Sequence, residues 1–327
     1  MKILLLGGDG QVGFELQRAL APLGPVSAFD HAGCDVTDTP LLRKVIRGAH
    51  PDVIVNAAAY TAVDRAETEP ALAHAINAAA LAVIGSEAAR TGALVVHYST
   101  DYVFDGTKED AYHERDHPNP VNVYGASKLA GEQALQQSGA RHLIFRTGWV
   151  VGMHGQNFVK TILRLVRTKT TLDVVADQWG APTPAALIAD VTAVCLRAAA
   201  HAPDADFCGL YHLVSSGRTQ WHEYACRIVD QAQRAGCTLA LPSTGIRAVA
   251  TSVTPRQARR PCNSTLDTHK LRDTFGLHLP DWREAVDPVL GELFQTLRST
   301  AVAPWRPRPS DEPGCISHQA PAVAPKP

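Results

Sequence analysis

Tyr124 and Lys128 are the two residues of this 327-residue sequence whose types and spacing point most directly to catalysis. They open a predicted helix that runs to about Ser138, and a spacing of four places both side chains on one helical face. A tyrosine hydroxyl has a pKa of about 10, and a nearby ammonium can lower it by stabilising the phenolate. The pair therefore predicts a general acid, although an ordinary amphipathic helix shows the same spacing.

Thr100 follows the apolar run Val95–Tyr98, whose residue types predict a buried strand. In an open parallel sheet, ligands bind beyond the carboxyl ends of the strands. Thr100 and the neighbouring Asp101 are therefore expected in a ligand-binding crevice, where the threonine hydroxyl can hydrogen-bond a substrate carbonyl. The alternative interpretation is that Ser99 and Thr100 only end a strand.

Three glycines, Gly7, Gly10 and Gly13, lie between an apolar strand at the N-terminus and a predicted helix. This pattern is typical of a dinucleotide site: one glycine permits a tight turn, one lets backbone N–H groups approach pyrophosphate, and one lets the helix pack on the strand. The spacing Gly-x-x-Gly-x-x-Gly differs from the commoner Gly-x-Gly-x-x-Gly, and an ordinary strand-to-helix turn stays the alternative. Because the motif directly follows the first strand, we expect a bound NAD(P) cofactor.

Asp30 ends the second predicted strand, at the position where an acidic side chain accepts hydrogen bonds from the adenosine ribose hydroxyls. Its carboxylate would repel a 2′-phosphate, and His31 and Ala32 supply no arginine or lysine to compensate. NADH is therefore expected to serve at least as well as NADPH. The alternative is that Asp30 is a solvated loop residue.

Short β-rich runs alternate with helical patterns through the first half of the chain, which predicts an α/β fold with a parallel sheet and crossover helices. The predicted strands are Ile3–Leu6, Val26–Phe29, Val53–Val55, Leu94–His97 and Leu143–Phe145. We expect a Rossmann-like, doubly wound NAD(P)-binding domain at residues 1–148. Residues 149–300 are expected to form mainly a smaller substrate-binding lobe, from which some elements return to the first domain. A proline-rich tail, residues 301–327, is predicted to be disordered.

The composition limits the classes of partner. The net charge is -1, with 31 Lys+Arg against 32 Asp+Glu, so a global positive field for nucleic acid or an anionic membrane is not expected. The seven cysteines form no Cys-x-x-Cys pair and no metal-ligand spacing, which favours reduced thiols and no metal site. No uninterrupted apolar stretch approaches the length of a membrane span. These features predict a cytoplasmic protein.

Several further segments resemble the dTDP-4-dehydrorhamnose reductases, a family of the extended short-chain dehydrogenase/reductase superfamily. The resemblance covers residues 1 to about 298, and its later segments are not general to the superfamily. The segments that carry it are Asn56–Glu67, Ser99–Gly106, Val123–Glu132, Arg146–Val150, Asn157–Leu163, Asp177–Thr183 and Arg260–Ser264.

The resemblance implies a role for each matching residue. Around the cofactor, it implies that Gly7, Gly10, Gln11, Val12 and Gly13 bind pyrophosphate, Asp30 ribose, Asp35 and Val36 the adenine side, and Ala59, Tyr60, Thr61 and Tyr98 the nicotinamide half, with Tyr124 and Lys128 also in contact. Around the sugar, it implies Thr100, Asp101 and Trp149, of which the tryptophan gives an apolar face. Asn77 matches a position that is structural or part of a proton relay in the superfamily.

The activity that the resemblance implies is reduction of dTDP-4-dehydro-6-deoxy-L-mannose to dTDP-L-rhamnose with NADPH or NADH, the last step in supplying activated rhamnose for cell-surface polysaccharide. It also allows a homodimer that depends on Mg²⁺. Glu15 is the one acid near a plausible interface that we would name, although a solvated position on a helix explains this residue better. Epimerases and dehydratases of the superfamily are alternatives, but dehydratases have Thr-Asp-Glu where this chain has Tyr102. A non-catalytic regulatory subunit is a further alternative, which Thr100, Tyr124 and Lys128 disfavour.

Overall fold

The computed structural model describes residues 1–202, 207–254 and 256–300, except for the side chains of the last two residues. The predicted disordered tail, residues 301–327, lies outside these ranges. The strands are β1 (Ile3–Leu6), β2 (Val26–Phe29), β3 (Val53–Asn56), β4 (Leu94–Thr100), β5 (His142–Thr147), β6 (Val150–Val151), β7 (Leu172–Val175), β8 (Trp179–Gly180), β9 (Thr183–Pro184), β10 (Gly209–His212), β11 (Thr219–Gln220) and β12 (Ile246–Val249). The helices are α1 (Gln11–Leu20), α2 (Thr39–Ala49), α3 (Val63–Ala66), α4 (Pro70–His74), α5 (Ala80–Thr91), α6 (Val123–Gln137), α7 (Phe158–Val166), α8 (Ala185–His201), α9 (Trp221–Arg234), α10 (His269–Phe275) and α11 (Trp282–Thr300).

A six-stranded parallel sheet forms the centre of the molecule, with the strand order β10-β5-β4-β3-β1-β2. The residues of β1, β3 and β4 are all buried, as expected for strands that are covered on both faces. Helices α1 and α8 pack on one face of the sheet, and α2 and α5 cover the other. The predicted doubly wound α/β fold is confirmed.

The stretch Pro70–Thr91 is long and apolar enough, by composition, to cross a membrane, and half of its most apolar window is buried inside the protein. It comprises α4, a π-helical turn at Ala75–Ala79, and α5. Leu81 and Ile84 have no exposed surface and belong to the core beneath the sheet. Packing within the α/β layer therefore accounts for its apolar composition.

A second apolar core lies outside the sheet layers and joins α7, α9 and α11. Two-stranded pairings flank it: β7 with β12, β8 with β11, and β6 with β9. The chain also returns to the first layer, because β10 forms the edge of the main sheet and α8 packs along α1. Elements from both halves of the chain therefore build the sheet layer, and we call the region between the carboxyl edge of the sheet and this lobe the cleft.

Candidate active site

The glycine loop lies at the point where the strand order reverses, between β1 and β3, which is where open α/β sheets bind ligands. Gly7 has φ of +76°, and a Cβ there would lie 2.5 Å from the backbone N of Ala58. A Cβ on Gly13 would lie 1.9 Å from the Gly7 carbonyl oxygen, so only glycine lets α1 approach the strand this closely. The two glycines therefore have the turn and packing roles predicted for them.

The N-terminus of α1 is suited to an anion. Gly10 is the N-cap residue and forms no side-chain capping bond, so the first backbone N–H groups of the helix, from Gln11 to Gly13, have no side-chain cap. A Cβ on Gly10 would meet only the Gly7 carbonyl within 4 Å, at 3.5 Å, which leaves open space in front of the helix. These residues fit the pyrophosphate of a dinucleotide.

Gln11 also contacts the second lobe. Its Oε1 accepts a hydrogen bond from Asn157 Nδ2 at 3.1 Å, and Asn157 caps α7 by accepting from the backbone N of Lys160. One turn further along α1, the exposed Phe14 stacks on His154 with ring centroids 4.7 Å apart. The start of α1 is therefore linked to the segment between β6 and α7.

Asp30 lies directly after β2, exposed at the carboxyl edge of the sheet. Its Oδ1 accepts a hydrogen bond from the backbone N of Gly33 at 2.7 Å, so the side chain also stabilises its own turn. Asp35 accepts from both the backbone N and the hydroxyl of Thr37, at 2.9 and 2.7 Å. Both acids are placed beside the first strand crossover, as an adenosine site requires.

Two of the predicted cofactor residues, Tyr98 and Val36, turn their side chains into the core. Tyr98 is 7% exposed, and its hydroxyl hydrogen-bonds Thr192 of α8 at 2.8 Å on the far face of the sheet. Val36 is packed in the core that α2 and α5 cover. Any contact of these residues with a cofactor is therefore through the backbone.

Asn77 holds the loop after β3 in place. It is 1% exposed and lies in the π-helical turn, a feature often found at functional sites. Its Oδ1 accepts from the backbone N of Tyr60 at 2.9 Å, and its Nδ2 donates to the Tyr60 carbonyl and to the hydroxyl of Ser127 on α6. Ala59 is half-buried and Thr61 exposed beside this clamp. Asn77 therefore positions the loop after β3, and a structural role is sufficient to explain this residue.

Thr100 ends β4 and brings together the residues predicted to act on a substrate. Its hydroxyl donates to Asp101 Oδ1 at 3.0 Å and accepts from the backbone N of Tyr102 at 3.1 Å. The phenol of Tyr124, at the start of α6, lies beside the same hydroxyl. A Cβ on Gly125 would lie 2.1 Å from the Tyr102 carbonyl oxygen, so the glycine permits α6 to begin this close to the strand end.

The surroundings of Tyr124 and Asp101 favour the protonated forms of both side chains. Burial raises the pKa of Tyr124 to about 12; the neighbouring Thr100 hydroxyl opposes the shift and the Asp101 charge adds to it. Burial also raises the pKa of Asp101 to about 6, against the nearby hydroxyls of Ser264 and Thr100. The Tyr124 phenol therefore carries its proton throughout the neutral range.

The shift at Tyr124 is opposite to the one that the Tyr–Lys spacing predicts. Lys128 is 1% exposed, and its Nζ donates to the Tyr98 carbonyl oxygen at 2.5 Å and lies 3.3 Å from Nε2 of His97. The ammonium is thus directed at the end of β4, and burial of the phenol sets its pKa. The pKa of Tyr124 is therefore raised, contrary to the expectation that Lys128 lowers it.

A buried ion pair fixes α6 to the sheet beneath these residues. Glu132 and Arg146 are 1% and 2% exposed, and two N–H groups of the guanidinium donate to the carboxylate at 2.9 and 2.6 Å. The hydroxyl of Ser99 donates to the same carboxylate. Removing one partner of such a pair leaves an uncompensated buried charge, so the network specifies how α6 lies on β4 and β5.

Trp149 occupies the lobe side of the cleft in a left-handed conformation, with φ of +50°, which is unusual for a bulky residue and is often found at ligand sites. Its ring stacks on Trp221 with centroids 3.4 Å apart and an interplanar angle of 4°. Phe158 packs on Trp221 in turn. One face of Trp149 is therefore covered by protein, so at most the other face is left for a sugar, which narrows the predicted role.

The sequence motifs did not assign three residues that the fold brings to this cleft. Ser264 lies beside Asp101 and donates its hydroxyl to the Trp179 carbonyl at 3.1 Å, and Trp221 supports Trp149. Arg260 forms two hydrogen bonds of 2.8 Å with Asp64 beside Tyr102. Arg260 and Ser264 lie in a segment that contributed to the family resemblance, and that was the available signal for them. Nothing in the local sequence marks Trp221.

The described residues offer no ready metal site: across 1–202, 207–254 and 256–300 there is no group of three or more His, Cys, Asp or Glu side chains that could hold an ion. Glu15, the acid named for Mg²⁺, instead pairs with Arg18 at 3.3 Å.

A glycine loop at the strand-order switch point, with a tyrosine–lysine pair beside a threonine at the same edge, defines a Rossmann-fold reductase that uses a nicotinamide dinucleotide. Residues 1–294 match the family described as the RmlD substrate binding domain, and the chain belongs to this family. The family resemblance expected from the sequence is confirmed.

Relatives of known sequence and structure agree with this family assignment. The chain is 51% identical over 300 residues to dTDP-4-dehydrorhamnose reductase of Salmonella typhimurium, covering 90% of this chain and 99% of the relative. It is 47% identical to the enzyme of Burkholderia thailandensis over 296 residues, with the same coverage. The crystal structure of dTDP-4-dehydrorhamnose reductase from Bacillus anthracis in complex with NADP is 34% identical, with a TM-score of 0.80, and covers 89% of this chain and 100% of that chain.

Proposed function

We propose that this protein reduces the C4 ketone of dTDP-4-dehydro-6-deoxy-L-mannose to give dTDP-L-rhamnose, with NADPH or NADH as the reductant. The proposal is supported by membership of the family and by relatives at about half identity that bear the reductase name. The observation that carries the chemistry is the placement of Tyr124 beside Thr100 at the carboxyl end of β4.

When bound, the dinucleotide supplies the hydride. Tyr124 donates its proton to the oxygen that develops negative charge at C4, and its raised pKa keeps that proton available throughout the neutral range. An alkoxide is a stronger base than a phenolate, so the transfer is favourable despite the high pKa of Tyr124. Thr100 turns its one hydroxyl hydrogen from Asp101 to the carbonyl and orients the carbonyl toward the phenol. The ammonium of Lys128 holds the nicotinamide ribose.

The two halves of the cleft bind different parts of the reacting complex. We propose that residues 1–148 hold the dinucleotide through Gly10–Gly13 and Asp30, and that residues 149–300 with Asp101 hold the sugar. The relative from Bacillus anthracis binds NADP, while Asp30 favours NADH on charge grounds, so both reductants belong to the proposal. A cytoplasmic location, a homodimer and dependence on Mg²⁺ remain predictions.

The test is reduction by the purified protein of dTDP-4-dehydro-6-deoxy-L-mannose, followed by loss of nicotinamide absorbance and by NMR of the product. The UDP- and GDP-linked 4-keto sugars serve as matched substrates that change only the nucleotide. Release of water or a change at C3 or C5 without reduction would favour a dehydratase or an epimerase. Dinucleotide binding with no turnover of any sugar would favour a regulatory subunit.

A further inference from the structure

The hydroxyl of Thr100 has one hydrogen, and the proposed reaction needs it at a different place from the one seen in the structure. In the structure the hydroxyl donates to Oδ1 of Asp101 at 3.0 Å. In the reaction it donates to the C4 carbonyl oxygen, which accepts hydrogen bonds and has no hydrogen to give in return. Asp101 therefore loses the Thr100 donor when the ketone is held for reduction.

The oxygen of Thr100 stays beside Asp101 when its hydrogen turns away. Thr100 is 3% exposed at the end of β4, and its Oγ1 accepts from the backbone N of Tyr102 at 3.1 Å, which fixes the oxygen. A hydroxyl oxygen has two lone pairs, so it can accept one further hydrogen bond. An ionised Asp101 has no hydrogen for that lone pair, and two acceptor oxygens would then face each other 3.0 Å apart.

The other close neighbours of Asp101 leave the carboxyl group well packed. Ser264 is 4% exposed and donates its one hydroxyl hydrogen to the Trp179 carbonyl oxygen at 3.1 Å. A Cβ on Gly148 would lie 2.5 Å from Asp101 Oδ2, so the backbone of β5's end lies close against the second carboxyl oxygen. Asp101 itself is 3% exposed. These surroundings suit a carboxyl group that carries its own proton.

Burial and hydrogen bonding act on the charge of Asp101 in opposite directions. Burial is the larger effect and raises the pKa to about 6. The hydroxyls of Ser264 and Thr100 and the backbone N–H groups of Asp101 and Tyr102 oppose it. Withdrawal of the Thr100 hydrogen toward a ketone removes one of these opposing groups, so the pKa of Asp101 should rise further in the complex.

The ionisable side chains nearest to Asp101 are two phenols and one ion pair. Burial keeps the pKa values of Tyr102 and Tyr124 well above the neutral range, and the Asp101 charge adds to both shifts. Arg260, beside Tyr102, directs its guanidinium at Asp64 with two hydrogen bonds of 2.8 Å. The phenols are therefore neutral, and the guanidinium is held by another carboxylate.

We propose that Asp101 is a positioning residue that works in its protonated form: its O–H donates to Thr100 Oγ1 and frees the single hydrogen of Thr100 for the C4 carbonyl. The proton stays on the carboxyl group throughout, so Asp101 orients Thr100 and takes no part in the transfer from Tyr124. An ionised Asp101 would keep the hydrogen of Thr100 and leave the ketone without that donor. The inference deepens the proposed function and depends on it through the role of Thr100.

The pH profile of reduction tests which form of Asp101 works. The protonated form is present below the midpoint and lost above it, so kcat/KM should fall about tenfold for each pH unit above about 6. Because kcat reports the complex with the sugar, its midpoint should lie at higher pH than that of kcat/KM. Rates that rise through this range would show that the carboxylate is the working form, as expected if it accepts from a sugar hydroxyl, and would refute the inference.

Asp101→Asn is the decisive variant, because an amide keeps the shape and presents an N–H to Thr100 at every pH. We expect activity close to that of the wild type below the Asp101 midpoint and no fall above it, so that one pH unit higher the variant exceeds the wild type roughly tenfold in kcat/KM. Asp101→Leu removes the charge without supplying a donor and should be slower than Asp101→Asn at every pH. Equal rates in the two variants, or loss of activity in Asp101→Asn, would overturn the proposal.

Two further variants test the route of the effect. In Thr100→Val the hydroxyl is gone, so the fall above the midpoint should disappear and adding Asp101→Asn should change nothing; a fall that persists would show that Asp101 acts on the sugar directly. Asp105→Asn is the matched control. Hydrogen bonds from Thr107 and Asn119 hold the pKa of Asp105 well below its usual range, so this variant should keep the wild-type midpoint.

Proton uptake on binding gives a readout that needs neither a variant nor turnover. The keto sugar is titrated into the wild-type protein with NADP⁺, which cannot reduce it, by calorimetry in two buffers of different ionisation enthalpy. About one pH unit above the Asp101 midpoint, binding should take up a large part of one proton, and binding without uptake would overturn the inference. Absence of both binding and reduction of the keto sugar at every pH would instead refute the proposed function, and the inference with it.

Discussion

The two walls of the cleft are built differently. The wall formed by β4 and α6 carries Thr100, Tyr124 and Lys128, and it is held by the buried pair of Glu132 and Arg146. The lobe wall carries Trp149 and is held by aromatic stacking and by single hydrogen bonds from distant segments, such as the one that Ser264 donates to the Trp179 carbonyl.

This difference separates chemistry from recognition. Proton transfer needs atoms fixed to a fraction of an ångström, and buried charge pairs with defined geometry supply such rigidity. A sugar ring is recognised over a wider apolar area with a few polar contacts, for which stacked aromatic side chains are sufficient. Changes in the first wall should therefore lower kcat, and changes in the second should mainly raise the substrate KM.

The largest effect is expected for Tyr124→Phe, which removes one oxygen and leaves the ring in place. We expect kcat to fall by roughly 10² to 10⁴, the usual contribution of a positioned acid. Dinucleotide affinity and the thermal midpoint should be nearly unchanged, because the half-buried ring still packs edge-on against Tyr102. Steady-state reduction and a dinucleotide titration measure both. Near-normal kcat would show that another group donates the proton.

Asn77→Ala tests whether the loop after β3 depends on its clamp. The variant leaves the backbone N and carbonyl of Tyr60 without their side-chain partners, at an expected loss of about 1 to 3 kcal/mol in the free energy of unfolding. Dinucleotide affinity should fall in parallel, with less effect on kcat at saturation. Ser127→Ala, which removes only one bond of the same side chain, is the control and should cost less. If both variants lose the same free energy of unfolding, the bond between Asn77 and Ser127 on α6, and not the two bonds to Tyr60, accounts for the stabilisation.

The sequence predicted the fold and the first wall well because their signals are local. Predicted strands such as Ile3–Leu6 and Val26–Phe29 agree with β1 and β2 to the residue. The glycine spacing and the Tyr124–Lys128 spacing lie within single strand–helix units, so periodicity alone brings those residues to the same edge. The short strands β6, β8 and β9, with two residues each, were not predicted because so few residues show no alternation.

The second wall could not be predicted in the same way. Trp221 meets Trp149, and Ser264 meets Asp101, only after the chain has folded, and no local pattern couples these positions. The predicted direction of the Tyr124 pKa shift was wrong for a similar reason. Sequence spacing gives the distance to Lys128, but it shows neither the burial that raises the pKa nor the carbonyl that accepts a hydrogen bond from the ammonium.

Trp221→Leu tests the second wall. Loss of the stacked ring removes about 0.5 to 1.5 kcal/mol from the interaction that orients Trp149, equivalent to a rise of roughly 2- to 12-fold in substrate KM. We expect kcat to change less than KM and NADPH affinity to stay the same. Steady-state kinetics with the keto sugar decides this. A fall in kcat with unchanged KM would show that the lobe wall contributes to the chemical step and would abolish the distinction between the walls.

The smallest effect is expected at the cofactor edge, for Asp30→Asn. The amide oxygen still accepts from the backbone N of Gly33, so the turn is kept, and only the charge that faces a 2′-phosphate is lost. Two unit charges about 4 Å apart in water interact by about 1 kcal/mol, so the ratio of kcat/KM for NADPH to that for NADH should rise by about fivefold. Asp35→Asn, in which the Thr37 turn is kept in the same way, is the control and should change the ratio less.

Because the repulsion is between charges in water, the gain from Asp30→Asn should shrink as salt is added. A ratio that does not change at low salt would remove Asp30 from the ribose site and leave it with the turn as its only role.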